Sequence, residues 1–177
     1  VTKTSMWKNG DIRYVGLLNE PDNMYNKISP EEILDINITF ENKGHIYDVK
    51  EKKYLGLNTG NKQIKTKIAP TIANIYSILP YRVSRIDVTP DKKSYKAGEV
   101  VLCSVKVRTS GGQVGNHIGY VEVLGPDKEI RNYYTQKVIL KNGTGTIEVP
   151  ISFNDDIGNW SVNIRDVASG VSKKIDI

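Results

Sequence analysis

The sequence predicts an all-β chain folded as two tandem antiparallel β-sandwich domains. Three observations predict it: apolar residues recur with period two, turn signals break the chain at short intervals, and a proline-flanked seam lies near the middle. In a strand, residues two apart share a face, so strict alternation marks a segment half in a core and half in water.

The alternation runs through both halves. "EILDINITF" puts Leu34, Ile36, Ile38 and Phe40 on one face, with Ile33, Asp35, Asn37 and Thr39 on the other. "QIKTKI" sets Ile64, Thr66 and Ile68 against Gln63, Lys65 and Lys67. "VLCSVKVRT" sets Val101, Cys103, Val105 and Val107 against Leu102, Ser104, Lys106 and Arg108. "GYVEV", "TIEVPIS" and "WSVNIRD" continue the pattern, the last placing Trp160, Val162 and Ile164 inward. β-Branched residues fill these runs, as strands favour.

Turn signals recur every ~8–12 residues, the spacing of a sandwich. Asn9-Gly10 is the strongest, a type I′ hairpin candidate. "SPEEILDI" alone has a helix start, with Ser29 as N-cap, Pro30 at the first position and Glu32 at the third, and the alternation after it limits any helix to one turn. Pro80 and Pro90 flank the seam. Domains are expected over 1–83 and 84–177, each near the ~100 residues of a small sandwich.

Bulk properties exclude several function classes. Of the 177 residues, 38% are hydrophobic and 25% charged, which argues for a packed globular chain. The net charge is +5, yet no basic run exceeds two residues, so a nucleic-acid footprint is not expected. No apolar run is long enough to span a bilayer. The single cysteine, Cys103, cannot form an intrachain disulfide and reads as a buried structural thiol. His45 and His117 share no ligand spacing with it. Phosphate loops, nucleophile elbows, zinc clusters and dinucleotide fingerprints have no match.

The chemistry-bearing stretch is "NDDIGNWSVNIRD", residues 154–166. With Trp160 inward, Asp155, Asp156 and Gly158 form the turn before a strand, because Asp and Asn side chains bond nearby backbone N–H groups. Arg165 and Asp166 then point outward or open the next turn. Asp155 and Asp156 are also the candidate metal ligands: no cofactor is expected, and calcium is the one metal the stretch would admit, although the regular spacing of a calcium loop is missing. Adjacent carboxylates at a turn tip do not flank a cleft as a catalytic acid and base must. Trp7, Tyr133 and Tyr134 are the candidate sugar-stacking aromatics, since such rings have apolar faces and polar edges. Tyr133 and Tyr134 are adjacent, so in a strand one of them must point away from the core. Asn37, Asn142 and Asn159 begin N-x-S/T triplets, two of them in or beside predicted strands.

Two resemblances extend this reading. "VTPDKKSYKAGEVVLCSVKVRT" and the closing "GTIEVPISFNDDIGNWSVNIRDVASG" resemble macroglobulin-like and bacterial immunoglobulin-like modules, which implies an immunoglobulin-like second domain with Trp160 plugging one end. "IYDVKEKKYLG" and "IKTKIAPTIANIYSILPY" resemble the C-terminal β-domain of bacterial glycoside hydrolases of the β-galactosidase type. Tyr47, Asp48, Tyr54, Leu55, Gly56, Pro70 and Leu79 carry that pattern, and Glu51 departs from it where glycine is common. Such domains are accessory and carry neither catalytic acid nor base. The resemblance therefore implies a non-catalytic region of a larger bacterial secreted or surface protein, its partners being catalytic or neighbouring domains of the same polypeptide. The alternatives are a carbohydrate-binding module using exposed aromatics on a polysaccharide, and a spacer or adhesin segment.

Overall fold

A computed structural model of the chain describes residues 2–20 and 33–177. It is all-β, with several antiparallel sheets. The helix start at Ser29, Pro30 and Glu32 lies outside the described residues. The chain divides into two compact units, Val1–Tyr81 and Arg82–Ile177.

The first unit has strands β1 (Thr2–Asn9), β2 (Ile12–Asn19), β3 (Leu34–Phe40), β4 (Gly44–Asp48), β5 (Lys53–Asn58), β6 (Lys62–Ile68) and β7 (Ala73–Leu79). They form a five-stranded sheet in the order β1-β2-β7-β4-β5 and a two-stranded sheet β3-β6. Both short strands alternate as expected, so Ile36, Ile38 and Ile64 pack from the small sheet against Val15, Leu17, Ile46, Tyr76 and Ile78 of the large one. Phe40 and Ile68 close that core, with the Phe40 ring edge-on to Tyr76 at 5.4 Å.

One polar residue ties these two sheets together. Asn58 ends β5 and is 1% exposed. Its Nδ2 donates to the carbonyls of Phe40 and Asn42, both at 2.7 Å. Its Oδ1 accepts from the backbone N–H groups of Gly60 at 2.9 Å and Lys62 at 3.0 Å. The amide thus satisfies four backbone groups where the chain leaves one sheet and enters the other. Such groups, buried without partners, would each cost about 1–3 kcal/mol.

The second unit has strands β8 (Val83–Pro90), β9 (Val100–Thr109), β10 (His117–Leu124), β11 (Gln136–Leu140), β12 (Thr144–Pro150), β13 (Ser161–Asp166) and β14 (Ser172–Asp176). Four strands pair as β11-β10-β13-β14 and three as β12-β9-β8, a sandwich-like arrangement. Val101, Cys103, Val105 and Val107 on β9 are all buried, as are Val121 and Val123 on β10, Ile147 and Val149 on β12, and Val162 and Ile164 on β13. Cys103 is 0% exposed, and burial raises its thiol to about 11, a structural thiol kept protonated.

Two local expectations are corrected. The β1–β2 loop is Gly10-Asp11, since Asn9 pairs with Ile12. Only Gly10, at φ +59°, is left-handed there, which fits a type II′ turn instead of I′. The Asn-Gly pair that does form a type I′ turn is Asn142-Gly143, with φ values of 48° and 74°, closed by Thr144 N–H donating to the Lys141 carbonyl at 2.9 Å. Both turn types fit a two-residue loop, and an Asn-Gly pair does not say which of its residues occupies the first central position.

Asp166 is corrected in half of its expectation: it opens the next turn, as one alternative had it. It does not point outward but is 0% exposed. Its Oδ1 lies 2.8 Å from His117 Nδ1, and its Oδ2 accepts from the Ser169 backbone N–H at 3.0 Å and from the Ser169 hydroxyl. The turn after β13 curls back so that this carboxylate is held between strand and turn.

Gly143→Ala should destabilise the second unit by at least about 1 kcal/mol, because alanine is strained at positive φ. An added Cβ there would also sit 2.5 Å from Val114 Cγ1. Chemical denaturation of wild type and variant measures this, and equal midpoints would show the turn to be permissive.

Candidate functional site

In an antiparallel sandwich every second connection lies at the same end. Residues 91–99 between β8 and β9, 125–135 between β10 and β11, and 151–160 between β12 and β13 therefore share one end of the second unit. Tyr133, Tyr134, Asp155, Asp156 and Trp160, separated by up to 27 residues, are brought together there.

Tyr133 and Tyr134 lie in a 3-10 turn, Asn132–Tyr134, not in a strand. One still faces in and one out: Tyr134 is 8% exposed and Tyr133 66%. Their rings meet edge-on at 4.6 Å. Both phenols donate to Asp155, Tyr134 to Oδ2 and Tyr133 to Oδ1 at 3.3 Å. The Ser152 backbone N–H donates to the same Oδ2 at 2.8 Å and to the Tyr134 oxygen at 3.0 Å. Partial loss of water, and then the Asp155 charge, raise the Tyr133 phenol above its ordinary value.

Asp156 faces a cation. Arg131 donates to Asp156 Oδ2 at 3.2 Å and to Asp127 Oδ2 at 2.9 Å. The same guanidinium lies 5.6 Å over the Trp160 ring. Its bond to Asp127 holds that carboxyl below the usual range. Among the described residues, no group of three or more His, Cys, Asp or Glu side chains is placed to hold a metal ion. The candidate ligands Asp155 and Asp156 instead accept from phenols, a backbone amide and a guanidinium.

Trp160 lies at one end of the second unit, its ring edge-on to Tyr134 at 6.2 Å. It precedes β13 and joins the ladder through Ile177, accepting from its N–H at 3.0 Å. The ring is half-buried, with Nε1 donating to the Asp156 carbonyl at 2.9 Å. Together with Tyr134, Val123 and Val149 it lines a cavity of about 240 Å³, whose rim carries Lys93 and Asp156. The ring shares the face of Val162 and Ile164 but is only half covered, since Trp160 stands before the first residue of β13.

The rim on the other side is fixed by the β8–β9 connection. The Tyr95 hydroxyl donates to Asp91 Oδ1 at 2.7 Å, and the same oxygen accepts from the Leu102 backbone N–H at 3.1 Å. Glu99 Oε2 accepts from the Lys96 backbone N–H at 3.0 Å. Burial, and then the bond to Asp91, push the Tyr95 phenol up to about 12.

Trp7 belongs to the other unit. It sits on the edge strand β1, opposite Tyr14, and is 53% exposed. Its indole lies across Gly16, where an added Cβ would be 2.8 Å from the ring. The bare backbone at Gly16 leaves room for the edge of the ring.

His117, Asp166 and Ser169 are the polar cluster that sequence reasoning missed. They include the residue types of a hydrolytic triad, but the carboxylate is in the middle. Catalysis needs the histidine between nucleophile and acid. A signal was present: residue 117 shares the inward parity of Gly119, Val121 and Val123, and "DVASG" has the form of an Asx turn.

No family model and no curated protein matches the chain. Solved structures similar in shape include a chain from Bacteroides fragilis assigned as a β-galactosidase (12% identity, TM-score 0.31), covering 96% of this chain and 33% of that one. A Bacteroides uniformis β-glucuronidase matches at 11% identity and TM-score 0.34, over 96% of this chain and 26% of that one. The glycoside hydrolase domain of Endo-D from Streptococcus pneumoniae matches at 8% identity and TM-score 0.36, over 99% and 33%. The chain thus spans only 26–33% of their lengths.

Two outcomes are expected here. Tyr134→Phe should cost about 1–3 kcal/mol, because Asp155 loses a donor at a half-buried site; thermal unfolding reads it, and an unchanged melting point would mean Asp155 rebinds elsewhere. The raised Tyr95 value makes stability pH-dependent. An unfolded tyrosine ionises near ~10, so the stabilisation is complete below that pH and is lost as pH rises through about 12. Ultraviolet titration should show a late phenolate that Tyr95→Phe removes.

Proposed function

We propose that this chain is a non-catalytic accessory region of a larger bacterial protein, secreted or held at the cell surface, and that the parent acts on carbohydrate. The observation that carries the non-catalytic part is the Asp155 bracket. The carboxylates of the most chemically suggestive stretch hold Tyr133, Tyr134, Ser152 and Arg131 in place, which is the work of a scaffold. The glycoside hydrolase-like motif of the first unit is consistent with this. Its Tyr47 and Leu79 are buried, and Tyr54 packs on Tyr47 at 5.1 Å. Seven strands in a four-on-three arrangement support the immunoglobulin-like assignment of the second unit.

A second reading, a carbohydrate-binding module, is favoured by a different observation: the exposed Trp7 indole on the edge strand, and the aromatic cavity of the second unit.

The purified chain should release no product from a panel of chromogenic glycosides. Turnover that a single substitution within it abolishes would refute the accessory reading. Titration with polysaccharides, with and without chelator, tests the second: saturable binding lost in Trp7→Ala or Tyr134→Ala supports it.

A further inference from the structure

We propose that the cavity at the 91–99, 125–135 and 151–160 end of the second unit binds one neutral pyranose ring; this rests on the carbohydrate-binding reading. Three features of the cavity carry it.

The first is size. About 240 Å³ lies below the roughly 300–1,000 Å³ of sites for drug-sized ligands, which limits the occupant to about one ring. The second is composition. The lining joins Trp160, Tyr134, Val123 and Val149 to polar groups at the rim. A pyranose has the complementary make-up, with apolar C–H faces and hydroxyls around its edge, and aromatic rings suit such a face.

The third is unspent hydrogen-bonding capacity. Asp156 uses Oδ2 on Arg131, leaving Oδ1 as an acceptor. Lys93, Ser94 and Asn159 line the same cavity, and their side chains have no internal partner among the described residues. The rim therefore offers acceptor and donors together, which hydroxyls can answer because each both donates and accepts. Lys93 stands against Asp155 and Asp156 in the lining, and the Arg131 guanidinium bonded to Asp156 brings the charges close to balance, which favours neither an anion nor a cation.

The walls are already in place. Trp160 is held by its Nε1 bond to the Asp156 carbonyl, and Tyr134 by Asp155. The β8–β9 connection is tied to the β12–β13 loop by Gly98 N–H donating to the Ile151 carbonyl at 3.0 Å and Ile151 N–H to the Glu99 carbonyl at 2.9 Å. A pre-formed site loses less conformational entropy on binding.

The test titrates the whole chain with methyl pyranosides of glucose, galactose and mannose and with glucuronate, read by ligand-observed NMR. Asp156→Ala and Lys93→Ala alter exposed side chains, and their melting points check the fold. At least one neutral pyranoside should bind, with each variant weakening it by about tenfold, while Trp7→Ala leaves it unchanged. Binding that ignores both rim variants overturns the cavity assignment. If polysaccharide binds and only Trp7→Ala removes it, the cavity inference fails while the carbohydrate-binding reading stands. Glucuronate binding alone, dependent on Lys93, overturns the neutral class. No binding to any sugar or polysaccharide overturns both.

Discussion

A two-layer β protein has to satisfy its backbone where the chain crosses between layers or turns back at an edge, and here single buried polar side chains do so. Asn58 bridges four backbone groups between the two sheets of the first unit. Asp166 holds His117 of β10 and the turn after β13 in the second. Hydrophobic burial is non-directional and would accept many registers. A buried amide or carboxylate accepts one, because any slip would leave it unpaired in a poorly solvated place. These brackets select the arrangement that the apolar stripes only permit.

The same device, moved toward the surface, builds the end of the second unit. Asp155 gathers two phenols and a backbone amide, Asp156 faces Arg131, and Asp91 gathers Tyr95 and Leu102. Each carboxylate fixes a loop, and the loops together enclose a cavity with an apolar wall and a polar rim. Rigidity and the recess thus have a common origin. The proposed accessory role and the proposed binding role draw on the same residues and do not compete for them.

The strands were legible because their information is local. Alternation in "VLCSVKVRT" stated which side chains face the core, and the four inward residues of β9 are buried as stated. The site was legible as residue types only. Tyr133, Tyr134, Asp155 and Asp156 stood out by chemistry, yet nothing local said that both phenols would reach one carboxylate. The parity of Trp160 was legible but not its partial cover, because period two does not say how far the packing extends past a strand's end. Asp166 was legible as the opening of a turn but not as buried, because its burial depends on His117, 49 positions earlier, as well as on Ser169 nearby.

By itself the sequence determined the all-β class, the inward faces of the strands and the places where the chain turns. Those properties depend on side-chain period and on turn residues within a few positions of one another. Tertiary structure alone decided the pairing of strands into sheets, the choice between the two Asn-Gly pairs for the type I′ turn, and the partners of Asn58, Asp155 and Asp166. These depend on atoms far apart in the chain, whose meeting is set by register and layer packing, and no local pattern encodes that.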